Sequence, residues 1–233
     1  MLTVACHQPS FMPWPGFFYK AANTDVLVLL DHVQFPLGAS WINRNRLKNA
    51  GGFFWVTVPV WKKNRGRQPI NKVEICNEKN WQKKHYQSLF HAYTHAPYFK
   101  EHIGFFEKVY QKKWYRLLDL NLVILNYFLN VIGIDKKPIL SSSLNVNNKG
   151  TALIIEICEK LNANCYVTLS TSKSYIDTEA FRNKGIIVKF LHFKPPVYPQ
   201  LWGEFLPNLS MVDLLLNCGP KALEIIKNKR SQK

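Results

Sequence analysis

The amino-acid sequence predicts an α/β fold, a mostly parallel sheet with flanking helices, in one domain over residues 1–233. Short apolar runs rich in β-forming residues alternate along the chain with helical patterns, as they do in proteins with parallel sheets. The length is sufficient for a sizeable core, and no internal repeat or low-complexity linker divides the chain.

The individual elements follow from the periodicity of the apolar residues. The runs that predict strands are 2–5, 26–30, 53–58, 165–169 and 186–190, with a weaker one at 72–75. Helical patterns cover 81–95, 101–132, 151–161, 178–183 and 211–216. The stretch 101–132 is long enough for two helices, and we interpret the helix-rich segment 81–138 as an insertion on the sheet. Ser210 and Asp213 stand close to the spacing of a capping box before the last helix.

The chain is strongly basic, since 31 Lys and Arg against 15 Asp and Glu give a net charge of +16. Such a field attracts nucleic acids, phosphorylated metabolites, acidic proteins and anionic membranes alike. No helix-turn-helix, zinc-finger or RNA-recognition pattern accompanies the charge, so we expect no nucleic-acid partner. Residues 227–233, "KNKRSQK", add to the excess, and we expect a solvated end without a function.

Hydropathy and cysteine usage predict the compartment. No apolar run is long enough to span a bilayer, and the N-terminus lacks the pattern of a signal peptide, so we expect a cytoplasmic protein. The five cysteines are odd in number, scattered, and form no C-x-x-C pair. They predict reduced thiols, with neither a disulfide framework nor a metal site.

Polar residues follow several predicted strands at the point where each strand ends. His7 and Gln8 follow the first strand, and Asp31, His32 and Gln34 follow the second. A third set of polar residues follows the run at 165–169: Ser170, Thr171, Ser172 and Lys173. Ligands of open parallel sheets bind outside the carboxyl ends of the strands, so we expect these residues to share one cleft.

Among these residues His7 is the first catalytic candidate, because an imidazole exchanges a proton near physiological pH. Cys6 points to the opposite face of the strand, so we interpret it as a core residue. Asp31 is predicted to orient the imidazole or to bind a hydroxyl group. His85 is the second candidate base, whereas His91, His95 and His102 are expected on helix faces.

Two further segments predict binding residues. In "HQPSFMPWPGFF" the prolines hold a rigid path and the aromatic residues, Trp14 among them, wall a pocket. In "SWINRNRLKN" the alternate residues Arg44 and Arg46 face the same way beside Asn43, which suits bidentate binding of a phosphate or carboxylate. The basic residues of "WKKNRGRQPI" are interpreted as a solvated loop.

Order and spacing of several motifs agree with one known family. The motifs are "HQPSFMPWPGFFYKAANTDVLVLLDHVQF", "WINRNRLKN", "FFWVTVPV", "WQKKHYQSLFHAYTHAPYF", "SSSL" and "YPQLWGEFLPNLSMVDLLLNCG". Through them the chain resembles the WbqC-like proteins of bacterial surface-polysaccharide (O-antigen) gene clusters. It departs from the family pattern at Phe11, where Tyr is common, and at "YVTLS", where Ser-Gly commonly follows the strand; the second departure bears on Ser170.

The resemblance implies a transferase that attaches an aminoacyl or acyl group to the amine of a nucleotide-linked deoxyamino sugar through an amide. Arg44 and Arg46 would then bind the diphosphate, and His7 would deprotonate the attacking amine. Gln8 with Ser170 or Ser172 would stabilise the oxyanion. Two acyl donors are possible under this resemblance. One is bound to phosphopantetheine on an acidic acyl or peptidyl carrier protein, and the other depends on ATP.

Two alternatives use the same residues. The opening is similar to nucleotidyltransferase-like, Rossmann-like folds that hold ATP, although "PWPG" stands where their H-x-G-H turn would be. In that case "STSK", ending at Lys173, would be a second phosphate element of a ligase or adenylyltransferase. The other alternative is a non-catalytic protein that binds a sugar nucleotide or docks in an assembly complex.

Overall fold

The computed structural model describes residues 1–227. Its strands are β1 (Thr3–His7), β2 (Val26–Leu29), β3 (Arg44–Asn49), β4 (Gly52–Thr57), β5 (Ile139–Leu140), β6 (Cys165–Leu169) and β7 (Ile187–Leu191). Its helices are α1 (Pro15–Ala22), α2 (Trp81–Tyr93), α3 (Phe99–Gln111), α4 (Leu117–Val131), α5 (Gly150–Lys160), α6 (Thr178–Arg182), α7 (Met211–Cys218) and α8 (Ala222–Lys227). The basic end that we expect to be solvated lies, beyond Lys227, outside the described residues.

Five strands form one parallel sheet in the order β5-β2-β1-β6-β7. The predicted α/β class, with a mostly parallel sheet and flanking helices, is therefore confirmed. The chain winds outward from β1 to β2 and β5, and then returns to place β6 on the other side of β1. This winding is Rossmann-like, and it puts the topological switch point between β1 and β6.

Alternate residues of β1 enter two different cores. Val4 and Cys6 pack with the buried side of α5, whereas Ala5 faces the larger cluster that includes α1, α4 and α7. This alternation confirms the interpretation of Cys6 as a core residue, and it turns His7 to the face opposite Cys6.

The segment 53–58 is not part of the parallel sheet. It forms β4, which pairs antiparallel with β3 from Arg44↔Thr57 to Asn49↔Gly52. The prediction was wrong here because an apolar run indicates a strand but not which strand it pairs with. The short turn at Ala50 and Gly51 decides the pairing, since it returns the chain directly onto β3.

Other boundaries also differ from the predictions. The weak strand at 72–75 is a 3₁₀ turn, Ile70–Lys72, followed by isolated bridges from Glu74 and Ile75. The stretch 101–132 is two helices, α3 and α4. At α7 the hydroxyl of Ser210 accepts from the Val212 N–H, but Asp213 does not complete a capping box because its carboxylate binds other groups.

A helix that crosses a membrane must be both long and apolar. In the part of the chain from residue 1 to 227, no helix combines the length and the apolar character that crossing a bilayer requires.

The proline-rich loop that leaves β1 is buried, and side chains from distant segments satisfy its carbonyl groups. The amide of Asn121 on α4 donates to the carbonyls of Pro9 and Ile42. The amide of Asn45 donates to the carbonyls of Phe11 and Met12, at 3.2 and 2.7 Å. A buried carbonyl without a donor costs about 1–3 kcal/mol, so these bonds determine where the loop can lie.

Replacing Asn121 tests this arrangement. Asn121→Ala should lower the free energy of unfolding by about 2 kcal/mol or more, because two buried carbonyls lose their donor. Chemical denaturation measures the change. Asn126→Ala is the matched control, since Asn126 is exposed on the same helix and should change stability by less than about 0.5 kcal/mol. Equal losses in the two variants would contradict the role given to Asn121.

Candidate functional site

A cleft of about 390 Å³ opens at the carboxyl end of β1. Three segments form its walls: the loop after β1, the β3–β4 hairpin with the residues before it, and the chain before α7. The lining residues are His7, Ser10, Pro13, Trp14, Trp41, Asn45, Arg46 and Asn208. Of the residues predicted as a site, His7, Trp14 and Arg46 therefore meet in one cavity.

The imidazole of His7 is held in one orientation. Its Nδ1 lies 2.8 Å from the carbonyl oxygen of Gln8, and because a carbonyl can only accept, Nδ1 carries the proton. The Nε2 lone pair is then available as an acceptor. The ring also contacts Phe17 edge to face, with the centroids 4.9 Å apart. These contacts fix both the tautomer and the ring plane.

The electrostatic surroundings keep His7 neutral. Burial, together with the nearby ammonium of Lys20, lowers the pKa of His7 to about 3. An imidazole with that pKa remains an acceptor through the whole physiological pH range. This corrects the expectation that His7 titrates near neutrality.

Lys20 lies behind His7 at the switch point of the sheet. The register between β1 and β6 ends at Val4↔Tyr166, so β6 provides no donor for the Cys6 carbonyl. The Nζ of Lys20 donates to that carbonyl at 2.7 Å instead. The side chain is 4% exposed, and burial lowers the pKa of its amine to about 8. The buried ammonium of Lys20 thus supplies the hydrogen bond that a neighbouring strand would otherwise donate to the Cys6 carbonyl.

Arg46 brings a second positive charge to the cleft. One Nη2–H of Arg46 donates to the carbonyl of Asn208 at 3.0 Å, while its Nε is buried and has no partner among the described residues. Within residues 1–227 neither Arg46 nor Arg44 forms an ion pair. A partly desolvated guanidinium that lies beside a cavity and has no carboxylate partner among the described residues is suited to an anionic ligand.

Aromatic rings extend the cleft along the hairpin. Strand alternation puts Arg44 and Arg46 on the same face as Phe53 and Trp55. The guanidinium of Arg44 lies 4.1 Å from the ring centre of Trp55, and Trp55 lies 5.3 Å from Trp41. Trp41, Phe53 and Trp55 are 51%, 48% and 40% exposed. We call these three residues the aromatic platform.

Trp14 covers the first turn of α1 because Gly16 leaves room for it. A Cβ on Gly16 would lie 2.4–2.6 Å from three ring atoms of Trp14. The indole also meets Phe193 edge to face. A glycine is therefore required at residue 16 for the indole to close this wall of the cleft.

The other predicted site residues lie elsewhere. Asp31 is buried after β2 and binds Ser141, Ser142 and Asn71, and Gln34 lines a separate cavity. Asn43 donates its amide to the carbonyl of Val58. The carboxyl ends of the parallel strands do share one edge of the sheet. The residues at these ends nevertheless do not share one cleft, because Asp31 and Gln34 lie apart from the cavity at His7.

The segment after β6 also stays apart from the cleft. Ser170, Ser172 and Lys173 lie in a 3₁₀ turn, Ser170–Tyr175, and none of them lines the cleft. The hydroxyl of Ser172 accepts from Thr168. Gln8 contributes its backbone carbonyl to His7 and Ser10 rather than a side-chain donor. The expected oxyanion donors are therefore not assembled around His7.

His85 is buried in the core rather than exposed to a substrate. Its Nε2–H donates to the carbonyl of Thr57, and its ring packs against Trp81 and Tyr110. Its Nδ1 is buried without a partner among the described residues. Burial lowers the pKa of His85 to about 4. We correct its interpretation from a second base to a structural residue.

Sequence reasoning missed Ser10, Asn45 and Asn208. Asn45 is adjacent to the predicted arginines, but its side chain points to the opposite face of β3, toward the loop carbonyls. Asn208 lies 162 residues from Arg46 and reaches the cleft through its backbone oxygen. No residue-type signal marks a backbone contact of that kind.

The cysteines and acidic residues are the side chains that could form a metal or thiol site. Within residues 1–227 no group of three or more His, Cys, Asp or Glu side chains is placed to hold a metal ion. All five cysteines are free thiols, and burial raises the pKa of Cys6 far above its ordinary value. Cys6 is therefore an inert core thiol.

The fold and the cleft define a Rossmann-like α/β protein with a basic, aromatic-walled cavity at the end of its first strand. The model of the WbqC-like protein family matches residues 8–225, so the chain belongs to this family. It is also 31% identical over 229 residues to "Uncharacterized protein Rv1507c" of Mycobacterium tuberculosis (strain ATCC 25618 / H37Rv), covering 97% of this chain and 98% of that protein. No solved structure matches the chain.

Gly16→Ala tests the wall formed by Trp14. The added methyl group should displace the indole from the cleft, because the two cannot occupy the same space. Gly16→Ala and Trp14→Ala should therefore weaken the binding of a ligand in the cleft to a similar extent. A crystal structure of Gly16→Ala should show that the indole has moved. An unmoved indole would contradict the steric argument. Gly104→Ala is the control, since a Cβ at Gly104 meets no atom within 4 Å.

The pH dependence of stability tests the placement of His85. An unfolded histidine binds a proton near pH 6.5, whereas folded His85 does so only near pH 4. Between these values the unfolded state binds more protons, so stability falls as the pH is lowered, by up to about 1.4 kcal/mol per pH unit from this residue.

The variant His85→Phe should flatten that slope between pH 6.5 and pH 4. Its stability at neutral pH also falls, because Thr57 loses a donor, so the comparison concerns slopes. Urea denaturation at several pH values gives them. His91→Phe changes an exposed histidine of the same helix and should keep the wild-type slope. An unchanged slope in His85→Phe would show that His85 is protonated normally in the folded state.

Proposed function

We propose that the protein is a transferase that forms an amide between an acyl or aminoacyl group and the amine of a nucleotide-linked amino sugar. The observation that carries the proposal is the pairing of a neutral, oriented His7 with an unpaired, partly desolvated Arg46 in one cleft. The family resemblance to proteins of surface-polysaccharide clusters supports the sugar, and the cytoplasm is where nucleotide sugars would be met.

The positive groups suit the nucleotide half of that substrate. Arg46, with Arg44 two residues along the same face, can bind diphosphate oxygens through charge-assisted hydrogen bonds. The aromatic platform begins at Trp41, which also lines the cleft, so a base or sugar ring can stack there while the phosphates meet the arginines. With the phosphates at the arginines, we propose that the sugar amine lies at the His7 end.

The chemistry assigned to His7 follows from its free Nε2. The amine nitrogen attacks the acyl carbon, a carbon–nitrogen bond forms, and the bond from carbon to the leaving sulfur or oxygen breaks with its electron pair. As the new bond forms, the nitrogen becomes positive and its proton becomes acidic. Nε2 accepts that proton, and the negative charge of the bound diphosphate raises the pKa of His7 above the value of about 3 that it has without a bound anion, which makes Nε2 a stronger acceptor. The proton then passes to the leaving group or to water.

The net charge of the protein indicates the chemical class of the acyl donor but not its identity. A net charge of +16 favours an acidic carrier protein that bears a phosphopantetheine thioester. An acyl phosphate or adenylate made from ATP supplies the same carbonyl with a different leaving group. Both donors fit the proton transfer assigned to His7.

His7→Gln is the test of catalysis. Glutamine keeps a hydrogen-bonding group of similar reach without a base, so the variant should bind the sugar nucleotide normally and lose about a hundredfold to ten-thousandfold in kcat. Turnover is measured by mass spectrometry of the amide product, with thioester and ATP-dependent donors supplied separately. Full activity in His7→Gln would make His7 a hydrogen-bonding residue only.

Arg46→Ala is the test of binding. Losing a charge-assisted hydrogen bond should weaken sugar-nucleotide binding by roughly ten- to a hundredfold, as measured by calorimetry. Arg116→Ala changes an exposed arginine that does not line the cleft and should bind as the wild type does. Tight binding without turnover of any donor would favour the non-catalytic alternative over the transferase.

A further inference from the structure

A second cavity, of about 460 Å³, lies beside the end of β2. The segments 32–34, 67–69 and 147–150 form most of its wall, and it shares no lining residue with the cleft at His7. Its polar lining consists of one imidazole, two cations and four amide side chains: His32, Arg67, Lys149, Gln34, Gln68, Asn147 and Asn148.

A buried hydrogen-bond network orients His32 at this cavity. Ser141 is fully buried and lies 3.1 Å from the carboxylate of Asp31 and 2.7 Å from Nδ1 of His32. Since the carboxylate can only accept, the hydroxyl of Ser141 donates to Asp31 and accepts from Nδ1–H of His32. Nε2 of His32 is then left without a partner among the described residues.

The carboxylate at the base of the network stays ionised. Burial alone would raise the pKa of Asp31, but hydrogen bonds from Ser142, Asn71 and Ser141 outweigh it and lower the pKa below its ordinary value. The Ser142 N–H is 2.9 Å from the carboxylate, and the Asn71 amide is 3.1 Å from it. An ionised, fully bonded Asp31 holds Ser141, and Ser141 in turn fixes the imidazole of His32.

The charged side chains that line this cavity are both positive. Arg67 and Lys149 line the cavity and form no ion pair with a described residue, and no Asp or Glu is among the lining residues. The carboxylate of Glu156 is occupied by Asn148 and by the Asn147 N–H. The cavity thus offers positive donors and amides to a ligand without a competing carboxylate.

We infer that this second cavity binds a phosphoryl group, with His32, Arg67 and Lys149 as its contacts. A phosphate presents several oxygens, which matches the cations Arg67 and Lys149, and a guanidinium fits two of those oxygens bidentately. Because Nδ1 of His32 carries a proton, Nε2 accepts a hydrogen bond from a protonated phosphoryl oxygen in the neutral ring, or donates one to an oxygen as the imidazolium. The group belongs to a free phosphate or to a phosphate ester. The site is independent of the sugar and the acyl donor proposed for the first cleft.

Ring-nitrogen NMR tests the site with inorganic phosphate as the probe. Titration of phosphate into the full chain should shift the Nε2 resonance of His32 saturably. Arg67→Ala and Lys149→Ala should each weaken this response by about fivefold or more, because each removes a charged contact. Lys160→Ala, at the other end of α5, and Arg46→Ala, in the first cleft, should leave it unchanged.

Two further titrations identify the source and the class of the anion. Adenosine monophosphate binding more tightly than phosphate would support a phosphate ester, and the reverse order would support free phosphate. Acetate producing the same shift as phosphate would overturn the assignment to a phosphoryl group. A His32 resonance that phosphate does not move, or that Arg67→Ala and Lys149→Ala leave at wild-type affinity, would overturn the site. None of these measurements uses a sugar, so they are independent of the transferase test.

Discussion

The structure depends on satisfying the backbone of a buried loop. After β1 the chain runs through three prolines, Pro9, Pro13 and Pro15, and two fully buried side chains, Phe11 and Met12, where neither helix nor sheet can pair its carbonyls. Asn121, Asn45 and Ser210 supply the donors instead, from α4, from the hairpin and from the residue before α7. Each unsatisfied carbonyl would cost about 1–3 kcal/mol, so the three segments must lie where they do.

That requirement assembles the cleft. The hairpin that brings Asn45 to the loop carries Arg46 on its opposite face, and the segment that brings Ser210 places the Asn208 carbonyl against Arg46. A buried carboxylate holds the same region from behind, since Asp213 accepts hydrogen bonds from Tyr93, Tyr198 and Gln200. The groups that stabilise the loop are thus on the same short segments as the groups that face the cavity.

The electrostatics of the two cavities have a common feature. Both contain a histidine whose Nδ1 donates to the protein, which leaves Nε2 free, and both have cations that no described carboxylate neutralises. At His7 the nearby Lys20 and burial keep the ring neutral, which suits an acceptor of a proton. At His32 the network ends in an ionised Asp31, which suits a ring that contacts an anion. The neighbours of each histidine thereby suit it to the role that we propose for it.

The sequence by itself determined the α/β class, the family and most of the elements, and it singled out three residues that line the cleft, His7, Trp14 and Arg46, because these depend on local periodicity, motifs and residue chemistry. It did not determine the pairing of β4, the position of Asp31 or the burial of His85. Each of these is decided by partners far along the chain: Asp31 meets Ser141 at a separation of 110 residues, and Arg46 meets Asn208 at 162. The tertiary structure decided them, because hydrogen bonding of buried polar groups selects partners by position in space and leaves no periodic signal in the sequence.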